Sequence, residues 1–188
     1  MKEKILERYD RTDDNRVIID VSASKVEELY EDFDKQAPYH RKDLDEELAS
    51  YLVDCVREIG AADFVIRITL DRPLSAELQA RIRTSLYKFF MYQRELEVAS
   101  VKRILKRSLM LLFVGFALLF LSFRLHGDSV RPFYQNVLIE GVTIAAWVSL
   151  WESLSIALFN WWPSHHRIRL NFRIANAELL FQAQSSRL

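Results

Sequence analysis

One carboxylate lies inside a strongly apolar stretch of the chain. Glu152 is near the middle of the segment from Val137 to Trp162, in which the only other charge is Glu140. An ionised carboxylate that faces lipid costs at least about 2.5 kcal/mol, so Glu152 must face protein or water, or be protonated. Glu152 is therefore the residue best placed to carry chemistry.

Polar residues surround Glu152 at helical spacing. Ser149, Glu152, Ser153 and Asn160 follow the three- and four-residue steps of one helix face. In a symmetric oligomer this stripe would line a cation pathway with a ring of carboxylates. Two alternatives remain open: a Glu152 carboxyl hydrogen-bonded across a helix interface, which only stabilises packing, and a role linked to proton transfer.

Other charges flank the apolar segments. Glu140, Arg124 and Arg131 lie at similar depth at the predicted outer mouth, where they form either a local ion pair or a vestibule that concentrates cations. Four basic residues precede the first apolar segment and either set its orientation or bind anionic lipid headgroups. These are Lys102, Arg103, Lys106 and Arg107.

Motifs of soluble enzymes are absent from the sequence. There is no glycine-rich phosphate loop, nucleophile elbow, HExxH sequence or pair of catalytic carboxylates. The single cysteine, Cys55, excludes an intramolecular disulfide, and no residues have metal-ligand spacing. Residues 1–99 carry 16 Lys and Arg against 22 Asp and Glu, which argues against nucleic-acid binding. We expect no enzyme activity, cofactor or metal.

Two apolar segments predict two membrane spans. Sixteen uncharged residues run from Ser108 to Phe123 and form the first span. No proline occurs between Ser75 and Pro132, so one helix should continue from about Ala76 to about Phe123. The second span covers residues 137–162, and Trp161, Trp162 and Pro163 mark its end. Basic residues flank both spans on one side, which places both termini in the cytoplasm. The predicted divisions are 1–100, a cytosolic domain; 101–124, the basic flank and first span; 125–136, an extracytoplasmic loop; 137–162, the second span; and 163–188, a cytosolic tail.

The first hundred residues predict a small α/β domain. Residues 16–22 and 64–70 read as strands, and the helices between them would form a crossover that joins parallel neighbours. Ser24 and Glu27 have capping-box spacing, which predicts a helix that continues past Phe33 to Pro38; a second helix ends at Gly60. Residues 178–182 read as a further strand that could return to this sheet.

The fold class that follows is an α+β membrane protein, with two transmembrane helices, a cytosolic α/β domain built on a parallel strand pair with crossover helices, and a long helix continuing into the first span. The segment from Trp147 to Glu152, together with Asn160 to Pro163 and the basic tail, resembles an uncharacterised bacterial family of two-span inner-membrane proteins with a small cytosolic domain. The resemblance covers about 40 residues and implies the inner membrane as location.

Three functions are compatible with this composition. The leading hypothesis is an oligomeric pore for cations or protons, lined by the second span and gated by the cytosolic domain. The alternative is a non-conducting scaffold whose cytosolic domain binds a partner protein, and a membrane-bound enzyme comes third. The expected partners are the lipid bilayer, other copies of the chain and a cytosolic protein. Glu152, Ser149 and Ser153 need polar partners, which favours a homo-oligomer.

Overall fold

The computed structural model describes residues 6–31, 43–126 and 133–184. Its regular elements, in chain order, are β1 (Val17–Ala23), α1 (Glu46–Ile59), β2 (Phe64–Leu70), α2 (Ala76–Leu125), α3 (Phe133–Ser155), α4 (Trp161–Ala175) and β3 (Glu178–Ala183). A π-helical segment, Ile156–Asn160, joins α3 to α4.

The strands form one parallel sheet in the order β1-β2-β3. Val17 aligns with Phe64 between the first two strands, and Val65 aligns with Glu178 between the next two. The predicted parallel pairing of the first two strands is confirmed, and the strand expected near residues 178–182 completes the sheet.

The chain divides into two compact units. Described residues up to 95 and from 168 onward form the first unit, and residues 96–167 form the second. The core of the first unit contains apolar side chains from β1, β2, β3 and three helices. Its most deeply buried members include Ile19, Leu52, Val56, Ile66, Ile82, Phe90 and Ile174.

Helix α2 is 50 residues long and agrees with the predicted continuous helix. It follows β2, whereas β3 follows α4, so the chain completes the second unit before it returns to the sheet. Two helices have the length and composition to cross a membrane: Ala76–Leu125, with a mean hydropathy of 2.2 in its most apolar window, and Phe133–Phe159, with 1.6.

The helix predicted from Ser24 is wrong in the described residues. The chain makes only a 3-10 turn, Val26–Leu29, whose cap is Lys25 and has no side-chain hydrogen bond. The amide of Ser24 donates instead to Glu28, at 2.8 Å. Tyr30 is then extended and pairs with Leu44, which ends the turn. Phe33 and Pro38 lie outside the described residues.

The second apolar segment passes without a break into a further helix. The π-helical segment follows α3 directly, and α4 begins at Trp161, with Pro163 as its third residue.

Candidate functional site

The second unit is built around contacts between α2 and α3. Ser108 and Ser153 exchange hydrogen bonds: the Ser108 hydroxyl donates to the Ser153 carbonyl at 2.9 Å, and the Ser153 hydroxyl donates to the Ser108 carbonyl at 2.8 Å. Both side chains are buried. Two helices are therefore joined without any charged group.

Small residues continue this contact at seven-residue spacing along α2. A Cβ added to Gly115 would lie 2.7 Å from Leu150 Cγ, so only glycine fits there. Ser122 lies 2.6 Å from the hydroxyl of Thr143. Positions 108, 115 and 122 form one seam, and repeats of seven are typical of helices packed at a small left-handed angle.

The structure separates the residues of the predicted polar stripe. Ser153 is 4% exposed and faces α2. Ser149 donates to the Ala145 carbonyl of its own helix at 2.8 Å. Glu152 is exposed. The side chain of Asn160 lies outside the described residues. Ser153 and Glu152 are therefore not brought together on one path.

Glu152 lies on the face of α3 turned away from α2. Gly141, Ala145 and Val148 precede it at spacings of four and three residues, and all four positions are exposed. A Cβ added to Gly141 would meet nothing within 4 Å. This outer face of α3, defined by Gly141, Ala145, Val148 and Glu152, is apolar apart from the carboxylate.

The hydrogen bonds between Ser108 and Ser153 give the depth of Glu152 relative to α2. Ser108 is the first residue of the uncharged stretch in α2, and it contacts Ser153, the neighbour of Glu152. At a rise of about 1.5 Å per residue, Glu152 lies roughly 1.5 Å from the level of Ser108, toward the centre of that stretch. Glu152 is thus close to the level of the basic end of the uncharged stretch of α2.

The two described members of the predicted outer cluster, Arg124 and Glu140, do not contact each other through an ion pair. Arg124 lies over the ring of Phe120, 5.0 Å from its centroid. Glu140 is exposed on α3. Arg131 lies outside the described residues.

The four basic residues before the uncharged stretch are all exposed on α2. None of the carboxylates in the described part of the chain forms an ion pair with Lys102, Arg103, Lys106 or Arg107. Lys102 and Lys106 lie on the side of α2 roughly opposite the seam of Ser108, Gly115 and Ser122, because helical residues advance by about 100° each.

The first unit contains a cleft of about 360 Å³ that the sequence did not reveal. Its lining residues are Arg8, Tyr9, Asp10, Ile18, Asp20, Tyr51, Asp54, Cys55 and Glu58. The Tyr9 hydroxyl donates to Glu58 at 2.9 Å, and the Tyr51 hydroxyl donates to the Asp20 carbonyl at 3.1 Å. Burial, followed by a hydrogen bond with Cys55, raises the pKa of Tyr51 to about 12.

Three of the four carboxylates of this cleft have cationic partners, and the fourth, Glu58, accepts the hydrogen bond from Tyr9. Arg67 binds Asp20 at 2.8 Å and Asp10 at 3.1 Å, and Arg57 binds Asp54 at 2.6 Å. No group of three or more potential metal ligands occurs among the described residues. The cleft is thus a hydrogen-bonded recess whose negative charges are largely compensated.

Comparison of the chain with protein-family models, curated proteins and solved structures gave no match.

Proposed function

We propose that the chain is a two-span integral membrane protein of a bacterial inner membrane, with both termini in the cytoplasm, that assembles with copies of itself. The proposal is supported by two apolar helices and by the basic residues that flank them on one side. In this arrangement the first unit faces the cytoplasm, and the end of α2 and the start of α3 face outward.

The observation that carries self-assembly is the position of Glu152. Its carboxylate is exposed on the outer face of α3, opposite the contact with α2, so the hairpin of one chain does not cover it. An ionised carboxylate on an otherwise apolar helix face is poorly accommodated by lipid, although the cost is lower at the end of the apolar stretch than at its centre. A second copy can supply the polar partners that lipid lacks.

The geometry favours a scaffold over a pore. Ser153 is used in the contact with Ser108, and Ser149 bonds to its own helix, so neither of these two described serines is left to line a water path with Glu152. The assembled hairpins would hold several cytosolic domains side by side, and these domains would bind a partner protein.

A cation or proton pore is the second candidate, favoured by the exposure of an acidic side chain within a long apolar helix. Rings of carboxylates select cations in known channels. If the outer faces of α3 meet around an axis, Glu152 would form such a ring.

Topology can be tested with single cysteines in a Cys55→Ala background. His126→Cys should react with a membrane-impermeant thiol reagent from outside, and Gln184→Cys should react only after the membrane is opened. Both positions are exposed, so accessibility within the protein does not limit the reaction. The reverse pattern would overturn the orientation, and equal labelling from outside would overturn membrane insertion.

Reconstitution separates the two candidate functions. The scaffold predicts an oligomer in lipid with no conductance, whether position 152 carries Glu or Gln. The pore predicts cation currents whose selectivity falls in Glu152→Gln, whereas the matched variant Glu140→Gln, at the other end of α3, leaves selectivity less affected. Currents of this kind would replace the scaffold with the pore, and a monomer in lipid would overturn both.

A further inference from the structure

A second exposed face, on α2, complements the outer face of α3. Lys106, Met110, Phe113 and Ala117 follow one another at spacings of four, three and four residues, and all are exposed. They lie roughly opposite the seam that contacts α3. This outer face of α2, defined by those four residues, is apolar apart from the cation at its basic end.

The two charges lie at similar depth. Lys106 precedes Ser108 by two residues, Glu152 precedes Ser153 by one, and the two serines are hydrogen-bonded to each other. Because the helices are antiparallel, Lys106 and Glu152 are about three residues apart in depth, or roughly 4.5 Å. The flexible four-carbon stem of lysine can span such a difference.

Within one chain the two charges are on opposite outer sides of the hairpin. The helices α2 and α3 separate Lys106 from Glu152, and no ion pair joins them in the described part of the chain. A neighbouring copy related by an axis along the membrane normal keeps every residue at the same depth. Its outer α2 face can therefore meet the outer α3 face of the first copy, with cation and carboxylate at matching levels.

We propose that the hairpins assemble head to tail, with the outer face of α3 in one copy packed on the outer face of α2 in the next, and with Glu152 paired to Lys106 of that next copy. The inference rests on the proposed membrane insertion and self-assembly. Repeated about an axis along the membrane normal, this heterologous contact forms a ring when the rotation between copies divides a full turn. The pair compensates the carboxylate, and the open space at Gly141 lets a neighbouring helix approach closely.

Other occupants of these faces make different predictions. If α3 faces meet each other about a two-fold axis, Glu152 lies beside a second Glu152 and Lys106 stays outside the contact. If Lys106 instead binds anionic lipid headgroups, its charge affects the lipids that accompany the protein but not the assembly.

Cross-linking distinguishes these arrangements in the full chain. Two differently tagged populations in the Cys55→Ala background, one with Glu152→Cys and one with Lys106→Cys, are reconstituted together and oxidised with a lipid-permeant catalyst. We expect a disulfide that joins the two tags. Glu152→Cys chains linked only to one another would overturn the head-to-tail contact and leave self-assembly intact. If neither population gives any cross-link and the protein is monomeric, self-assembly itself fails.

Charge reversal provides a second measurement that does not depend on cysteine reactivity. Glu152→Lys alone should shift the oligomer toward monomer, and adding Lys106→Glu should restore it. Arg107→Glu is the matched control, because Arg107 is also exposed but lies well to one side of Lys106 on α2, and it should not restore assembly. Equal restoration by both reversals, or an oligomer insensitive to Glu152→Lys in vesicles of neutral or anionic lipid, would overturn the proposed pair.

Discussion

The close approach of α2 and α3 at Gly115 makes the substitution Gly115→Ala a sharp test of the hairpin. The new methyl carbon would lie 2.7 Å from both Cγ and Cδ2 of Leu150 and 3.2 Å from its backbone nitrogen. Favourable carbon contacts lie at about 3.5–4.0 Å, so Leu150 or the helices must move by roughly 1 Å. Because the close contacts involve both Cγ and the backbone nitrogen of Leu150, rotating the end of that side chain does not relieve the clash.

The expected cost follows from overpacking. Extra methylene-sized groups in packed interiors destabilise by about 1–3 kcal/mol, and we expect Gly115→Ala to lower the unfolding free energy of the hairpin by that amount. Reversible unfolding in mixed micelles, with the separation of the helices followed by a pair of fluorescent labels, measures it directly. Alanine has higher helix propensity than glycine, which offsets part of the loss by up to about 1 kcal/mol.

The matched control is Gly141→Ala, on the same pair of helices but with open space around it. It has the same gain in helix propensity without the clash, so the hairpin should be unchanged or slightly more stable. Leu150→Ala should recover part of the loss when combined with Gly115→Ala, because it removes the atoms that clash. Equal stability of the Gly115 and Gly141 variants would refute the close packing of α2 and α3.

Three further predictions concern other contacts. Ser153→Ala and Ser108→Ala should each weaken the hairpin by about 0.6–2 kcal/mol in the same unfolding assay, and the double substitution should cost about the sum, since each hydroxyl donates to the backbone carbonyl of the other residue; a double variant no less stable than either single variant would contradict two separate hydrogen bonds. Arg173→Leu should lower the unfolding free energy of the first unit by about 1.5–3 kcal/mol, because the guanidinium donates to the carbonyls of Gly60 and Ala62; Arg173→Lys should recover less than half, and full recovery would show that charge alone suffices. The raised pKa of Tyr51 predicts stability that is present below pH 10 and lost as pH rises toward 12. Ultraviolet titration of the tyrosines should show a late phase that Tyr51→Phe reduces and that Tyr9, whose pKa is also raised by burial, continues to contribute to; an unchanged titration would contradict this assignment.

Much of the framework is local and could be read from the sequence. Phe64, Ile66 and Ile68 alternate with Val65, Arg67 and Thr69, and this period predicted β2; Arg67 and Thr69 are partly exposed as the period implies, whereas Val65 is buried. The absence of helix breakers after Ser75 predicted α2, because nothing in that stretch ends a helix. These features depend on neighbours in the chain, so composition and spacing are sufficient.

The errors arose where distant segments compete with local signals. Ser24 and Glu27 satisfied the capping-box spacing, but the return of the chain to pair Tyr30 with Leu44 holds the backbone extended and limits the helix to one turn. Likewise Ser153 belongs to the same predicted polar stripe as Glu152, but its side chain faces Ser108 on α2. This orientation depends on how α2 and α3 pack, so the sequence of α3 alone does not reveal it.

Some of the missed site had a signal in the sequence. Ser108, Gly115 and Ser122 are small residues at intervals of seven, and this repeat would have identified the face of α2 that meets α3. The cleft beside Tyr9, Tyr51 and Cys55 had none, because its walls come from separate segments that the sheet brings together.

The place of β3 in the chain has a consequence for biosynthesis. Its strand neighbour β2 leaves the ribosome long before it, and the whole helical hairpin is translated in between. Until Glu178 and Leu179 emerge, the edge of β2 that pairs with β3 has no hydrogen-bonding partner, and the apolar side chains beside it are uncovered. The sheet is therefore completed only after α2, α3 and α4 have been synthesised, and until then β2 presents an open edge that other strands can pair with.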